Sequence, residues 1–243
     1  MTSNVHPACS LLILCASRES APMMVVALTE TKKAKGVDEG KEPIFSMVVK
    51  YLNHVGIIDD DNTKDEKEDD PTSVAWCASF VSWCIDQTGF ISPKTSGSRF
   101  YIADDIKWNT KSKDILRRVT DPVYGAIAVF SDCDSFGNCK LQGHVGFLYG
   151  KLPNGEMAIL GGNQGNKLKL TGYDCSGKVF LSYTDKAGNK YYKKFRGFFI
   201  PKSYDYSEYD ILSEADIIDT LTDENERLTD VEIKTDSIGE SSQ

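Results

Sequence analysis

The stretch Ala75-Trp76-Cys77-Ala78-Ser79-Phe80-Val81-Ser82-Trp83-Cys84-Ile85-Asp86-Gln87 decides how this chain is read. Phe80, Val81, Cys84 and Ile85 recur at helical spacing, and Gly89 stands where a helix stops. The spacing predicts a helix over 75–87 with Cys77 in its first turn. There, free backbone N–H groups and the helix dipole favour a thiolate. Cys84, two turns further among apolar neighbours, reads as core. Free cysteine is commonly buried, so Cys77 counts as a nucleophile only if the chain also supplies a base.

Two further helical patterns precede this stretch, over 22–35 and 43–55. In the second, Ile44, Val48, Tyr51, Leu52 and Val55 share one face and Gly56 marks the stop. Between 59 and 70 lie eight acids and two lysines, a superficial calcium-loop pattern. It lacks the turn glycine and the closing glutamate, so it reads as a solvated linker. After Gly89 the pattern changes to short strands over 125–130, 144–149, 156–160, 179–183 and 191–200, separated by Gly, Asn and Asp turns. Helices followed by a mostly antiparallel sheet give an α+β fold ending near Pro201.

Of the three histidines, His6 lies in the N-terminal arm and His54 near a helix end. His144 opens a strand in Gln142-Gly143-His144-Val145-Gly146-Phe147, a rigid platform for a general base. The next strand ends in Leu160-Gly161-Gly162-Asn163-Gln164, where the Asn163 amide is expected to fix the imidazole tautomer. Gln164 stands in reserve for that role. Cysteine, histidine and polar orienter in this order suit a thiol hydrolase.

The segments A-W-C-A-S-F-V-S-W-C, Y-G-A-I-A-V-F, G-H-V-G-F-L-Y-G and A-I-L-G-G-N-Q-G-N together resemble the successive motifs of NlpC and CHAP-type papain-like hydrolases. The nearest likeness is to a bacterial and phage cell-wall branch with L-G-G-N-Q after the histidine strand, and it runs from about Ala27 to Pro201. It implies a papain-like fold and cleavage of a peptide or amide bond in the peptide stem of peptidoglycan. Carried over by position, Cys77 is the nucleophile, His144 the base and Asn163 the orienter; no metal or organic cofactor is implied. Trp76, Ser98, Tyr101 and Trp108 are expected to line the cleft. An acyltransferase or deamidase on the same scaffold, or a wall-peptide binding protein without turnover, are the alternative readings.

Two stretches exceed the pattern. Ser131–Cys139 reads as an enlarged loop in which Cys133 and Cys139 form a disulfide in an oxidising compartment, stay free thiols in the cytosol, or join two aspartates around a metal. Residues 174–189 form the second.

Composition sets the outer bounds. The chain has 243 residues, 40 % of them hydrophobic and 26 % charged, which excludes collagen-like and wholly disordered classes. Its formal net charge is −8, but 203–243 holds thirteen acids against Arg227 and Lys234, leaving 26 bases against 23 acids in the rest. The body is therefore compatible with an anionic polymer. No basic run interleaved with aromatics points to nucleic acid, and no apolar stretch reaches membrane-spanning length. Residues 1–21 read as an N-terminal arm or atypical leader, 22–201 as the hydrolase domain, and 202–243 as an acidic tail, partly helical or disordered. The tail is expected to be dispensable for hydrolysis and to suit an inhibitor, immunity or export partner. A wall substrate implies a secreted or periplasmic setting.

Overall fold

Pro22, with its fixed φ, opens helix α1 (Pro22–Ala34), and Lys35 closes it in the left-handed conformation. The computed structural model describes residues 21–57, 73–105 and 112–230. Helix α2 (Ile44–His54) buries Ile44, Met47, Val48, Tyr51 and Leu52. Helix α3 (Cys77–Asp86) buries Cys77, Phe80, Val81, Cys84 and Ile85. The expected stripe is therefore present, and Cys84 is core. A 3-10 turn (Ser98–Tyr101) and a one-turn helix α4 (Ser112–Ile115) lead into the sheet.

Seven strands follow: β1 (Leu116–Val119), β2 (Ile127–Cys133), β3 (Cys139–Lys151), β4 (Met157–Gly161), β5 (Lys169–Tyr173), β6 (Val179–Thr184) and β7 (Lys190–Pro201). All pairings are antiparallel, in the order β1-β7-β2-β3-β4-β5, with β6 added beside the first half of β7. The α+β class and mostly antiparallel sheet are as expected. Strands β1 and β5 are additional. Their sequences, Leu-Arg-Arg-Val and Lys-Leu-Thr-Gly-Tyr, carry charge and glycine where a strand pattern needs apolar residues.

The three long helices and the sheet share one core. The Phe80 and Phe147 rings meet edge to face at 6.2 Å, joining α3 to β3, and Tyr51 meets Phe80 at 5.5 Å, joining α2 to α3. Glu30 of α1 is buried, yet it accepts hydrogen bonds from Lys50, Tyr51 and Lys33 at 2.5, 2.6 and 2.9 Å. Burial opposes its charge, but these three donors hold its pKa below the ordinary value.

Two hairpins end in the same five-residue turn. In Asp134-Ser-Phe-Gly-Asn138, Asp134 Oδ1 accepts from the backbone N–H groups of Phe136 and Asn138, and Oδ2 from the Asn138 amide. Asp185-Lys-Ala-Gly-Asn189 repeats the pattern between β6 and β7. At the base of the first turn, Cys133 and Cys139 are register partners joined by a disulfide. Both sulfurs are thereby consumed, which corrects the metal reading; among the described residues no His, Cys, Asp and Glu group suits a metal. No described helix is long and apolar enough to cross a membrane.

The acidic segment is not a free tail over its described part. Tyr204, Leu212, Ile218 and Leu228 are buried against the body. The Ser213–Asp216 capping box caps a 3-10 turn, and the segment's α-helix, α5, is Leu221–Thr229. Asn225 of α5 bonds both the N–H and the carbonyl of Leu170 in β5, at 2.7 and 3.1 Å, and Arg227 donates to the Tyr149 hydroxyl at 2.7 Å. Burying four such side chains is worth roughly 1.5–3 kcal/mol each, a large share of a domain's net stability. A chain ending at Lys202 is therefore expected to lose its cooperative thermal transition or to melt at least about 10 °C lower by circular dichroism. An unchanged melting curve would return this segment to the status of a dispensable tail.

Candidate active site

Helix α3 begins without a side-chain cap: Trp76 occupies the N-cap position and no acid lies in the first turn. Its first backbone N–H groups are left for the Cys77 sulfur, which those of Cys77 and Ala78 reach. The N–H of Val145, next in chain to His144, approaches the same sulfur from β3. The N-terminus of α3 thus packs on β3 beside the histidine. Burial nevertheless raises the Cys77 thiol above its usual range, against the pull of Val145, the Lys193 charge and the helix N–H groups.

His144 lies opposite Phe130 on β2 and is stacked on Tyr173 of β5, ring centroids 5.5 Å apart and planes 19° apart. Phe130 also packs on Tyr173, at 4.6 Å. This aromatic wall desolvates the imidazole and, with the Lys193 charge, lowers its pKa to about 3, against a smaller upward pull from Gln164. At neutral pH the resting pair is thiol and neutral imidazole.

Gln164 lies against the imidazole. Its Nε2 donates to the carbonyls of Ile159, Gly161 and Lys169 at 3.1, 3.2 and 2.5 Å, so the amide cannot rotate. With the nitrogen fixed, Oε1 is directed by elimination. Gln164 Oε1 and His144 Nε2 are both fully enclosed without a well-aligned hydrogen bond, and the amide is close enough to act on the imidazole. A Cβ on Gly161 would lie 3.0 Å from His144 Nε2 and 3.3 Å from Gln164 Cδ, so residue 161 must stay bare for the two groups to meet.

Asn163, the expected orienter, does something else. Its backbone is left-handed, φ 56°, a conformation Asn tolerates, and it turns the chain so that Gln164 rather than Asn163 points inward. Among the described residues its side chain makes no hydrogen bond to His144. The structure therefore sets Gln164, rather than Asn163, beside His144.

The cleft-lining expectations also change. Trp76 is wholly enclosed, its Nε1 donating to Glu39 at 2.5 Å and its ring lying where a Cβ on Gly162 would stand, 2.1 Å away. Tyr101 is equally enclosed, its hydroxyl bonding Ser82 at 2.7 Å and the Ala78 carbonyl at 3.0 Å; Ser98 is buried too. These residues support α3 and offer no face to a ligand. Trp108 lies outside the described residues. His54 pairs with Asp86 at 2.7 Å beside Trp83 and stands apart from His144. Tyr173 and Lys193 are the site residues that the sequence did not single out. Tyr173 sits on a strand with weak sequence signal, and Lys193 in the run Tyr191-Tyr192-Lys193-Lys194, where nothing marks one lysine as inward.

Comparison with known proteins adds one match. Residues 69–163 fit the family model described as CHAP domain, a stretch that contains Cys77, His144 and Asn163 and stops one residue before Gln164. No curated protein and no solved structure matches the chain. The CHAP domain match is consistent with a peptidoglycan hydrolase of the CHAP/NlpC type.

The depressed pKa of His144 has a measurable consequence. Because the unfolded state takes up its proton near pH 6.5 and the folded state only near pH 3, the group's stability contribution is present above pH 6.5 and declines as pH falls from 6.5 toward 3. Between pH 7 and 4.5 this amounts to about 2–3 kcal/mol. Urea unfolding of wild type and His144→Gln at both pH values is expected to show a shallower acid loss in the variant. Parallel losses would mean that His144 is not held neutral.

Proposed function

We propose, from the fit of residues 69–163 to the CHAP domain model, that the protein is a peptidoglycan hydrolase that cleaves a peptide or amide bond of the wall's peptide stem through Cys77, His144 and Gln164. The observation that carries the reading is the enclosed imidazole of His144, with a rotationally fixed glutamine at Nε2 and the uncapped N-terminus of α3, bearing the thiol, beside the same strand.

The steps follow from that arrangement. As substrate binds, Gln164 Oε1 closes onto Nε2–H of the imidazole, a bond the resting site does not make, and Nδ1 is left as the basic nitrogen toward Cys77. As substrate fills the site, Nδ1 takes the thiol proton and the sulfur attacks the scissile carbonyl. The N–H of Cys77, at the positive end of α3, is placed to hold the developing oxyanion. His144 then returns the proton to the leaving amine, and water, deprotonated in turn by His144, releases the acyl group from sulfur. A neutral resting pair suits this sequence: transfer occurs only when substrate carbonyl and helix N–H groups stabilise the charge. A disulfide and a wall substrate suit a secreted or periplasmic setting, outside the reducing cytosol.

The test is digestion of purified sacculi with mass spectrometry of the released muropeptides. Wild type is expected to release peptide or amide cleavage products, and Cys77→Ala none. Gln164→Ala is expected to lower kcat by about 100-fold or more. Asn163→Gly, which keeps the left-handed turn and removes the amide, is expected to stay within about threefold of wild type. Release by Cys77→Ala, or a larger loss from Asn163→Gly than from Gln164→Ala, would overturn the assignment.

A further inference from the structure

Beyond His144 the two matched hairpins, β2–β3 and β6–β7, enclose a groove of about 700 Å³ whose lining includes Lys140, Gln142, Tyr183, Lys190, Tyr191 and Lys193. We propose that this groove binds a carboxylate-bearing segment of the peptide chain whose bond is cut at Cys77, so that it sets which stem peptides the enzyme accepts. The proposal rests on the hydrolase reading above and assigns a second, separate binding site to it.

Size, continuity, charge and rigidity carry it. The volume lies within the range of small-molecule and peptide-fragment sites, about 300–1,000 Å³. The groove adjoins the strand that carries His144. Gln142 precedes His144 by two residues on β3, and the Lys193 ammonium acts on both Cys77 and His144.

Charge decides what fits. Asp132 is neutralised by Lys193 at 2.5 Å. Both oxygens of Asp134 are taken by its own turn. Lys140 and Lys190 remain, and among the described residues neither forms an ion pair. Asp134 keeps its charge, so three lysines against two aspartates leave the lining with one net positive charge. Beside it, Tyr183 and Tyr191 stack with centroids 4.4 Å and planes 4° apart, and are 53 % and 42 % exposed, giving the backbone of a bound peptide a flat wall.

The walls are stiff. The disulfide closes one hairpin at its base, the repeated Asp-x-x-Gly-Asn turn fixes both tips, and β3 bulges so that Lys140, Leu141 and Gln142 all fall opposite the single residue Asp132. That bulge turns Lys140 and Gln142 into the groove together. The β6–β7 wall lies outside the CHAP match, so the groove is a feature of this chain added to the matched segment.

Binding to the full-length Cys77→Ala protein tests this without turnover. The probes are a soluble muropeptide with free stem carboxylates and the same molecule with those carboxylates amidated, measured by calorimetry at low and high salt. The free acid is expected to bind at least tenfold more tightly, and the preference to vanish in Lys140→Glu/Lys190→Glu and to weaken with salt. Lys41→Glu/Lys113→Glu, exposed lysines elsewhere, is expected to keep it. Equal binding of acid and amide, an unchanged preference in the groove variant, or an equal loss in the control pair would each overturn the proposal. Absence of cleavage by wild type with the charge preference intact would remove the hydrolase reading and leave the groove standing. Cleavage without the preference would do the reverse.

Discussion

The ring of Trp76 lies flat on Gly162, and the geometry of the site depends on that contact. Trp76 is the N-cap of α3, so its position fixes where Cys77 and the first helical N–H groups lie. Gly162 belongs to the turn after β4, so the same contact fixes where Gln164 enters the core. A single interface between a large aromatic and a residue without a side chain therefore sets the nucleophile and the imidazole's partner in one frame. The Glu39 carboxylate takes the indole N–H and satisfies the polar atom that burial would otherwise strand. Any side chain at position 162 would drive the ring away and separate the two halves.

The Leu160-Gly161-Gly162-Asn163-Gln164 stretch can now be read residue by residue. Leu160 is core, Gly161 leaves room for His144 and Gln164, Gly162 receives Trp76, Asn163 takes the left-handed turn, and Gln164 goes inward. The sequence made the helix with Cys77 and the strand with His144 legible, because apolar periodicity and glycine stops report directly on which face is buried. It also showed two adjacent amides, Asn163 and Gln164, following the histidine strand. What periodicity could not report was which of two adjacent amides points inward, because that depends on a single φ of 56° at Asn163. Trp76 and Tyr101 were misread for a related reason. An aromatic beside a nucleophile looks the same in sequence whether it faces a ligand or supports the helix.

The acidic stretch after Pro201 shows the limit of composition. Its charge excess suggested an appendage, yet Tyr204, Leu212, Ile218 and Leu228 fall at intervals that let one side of an irregular strap reach the core while the acids stay outside. Asn225 ties that strap to Leu170, the residue after Lys169, whose carbonyl holds the Gln164 amide. The strap thus buttresses the strand that fixes the orienter. Most of its described acids face solvent while its apolar side chains reach the body.

On the proposed mechanism His144, held by Gln164, takes the Cys77 proton once substrate is bound. Single-turnover acylation by a muropeptide substrate at pH 7, quenched rapidly and read by peptide mapping in wild type, His144→Ala and Gln164→Ala, tests this without asking the resting thiol to react alone. Acyl transfer is expected at Cys77 and not at Cys84, slowed at least about tenfold by loss of His144 and to a lesser degree by loss of Gln164. Equal Cys77 acylation rates in all three proteins, or acylation of Cys84 in place of Cys77, would contradict it.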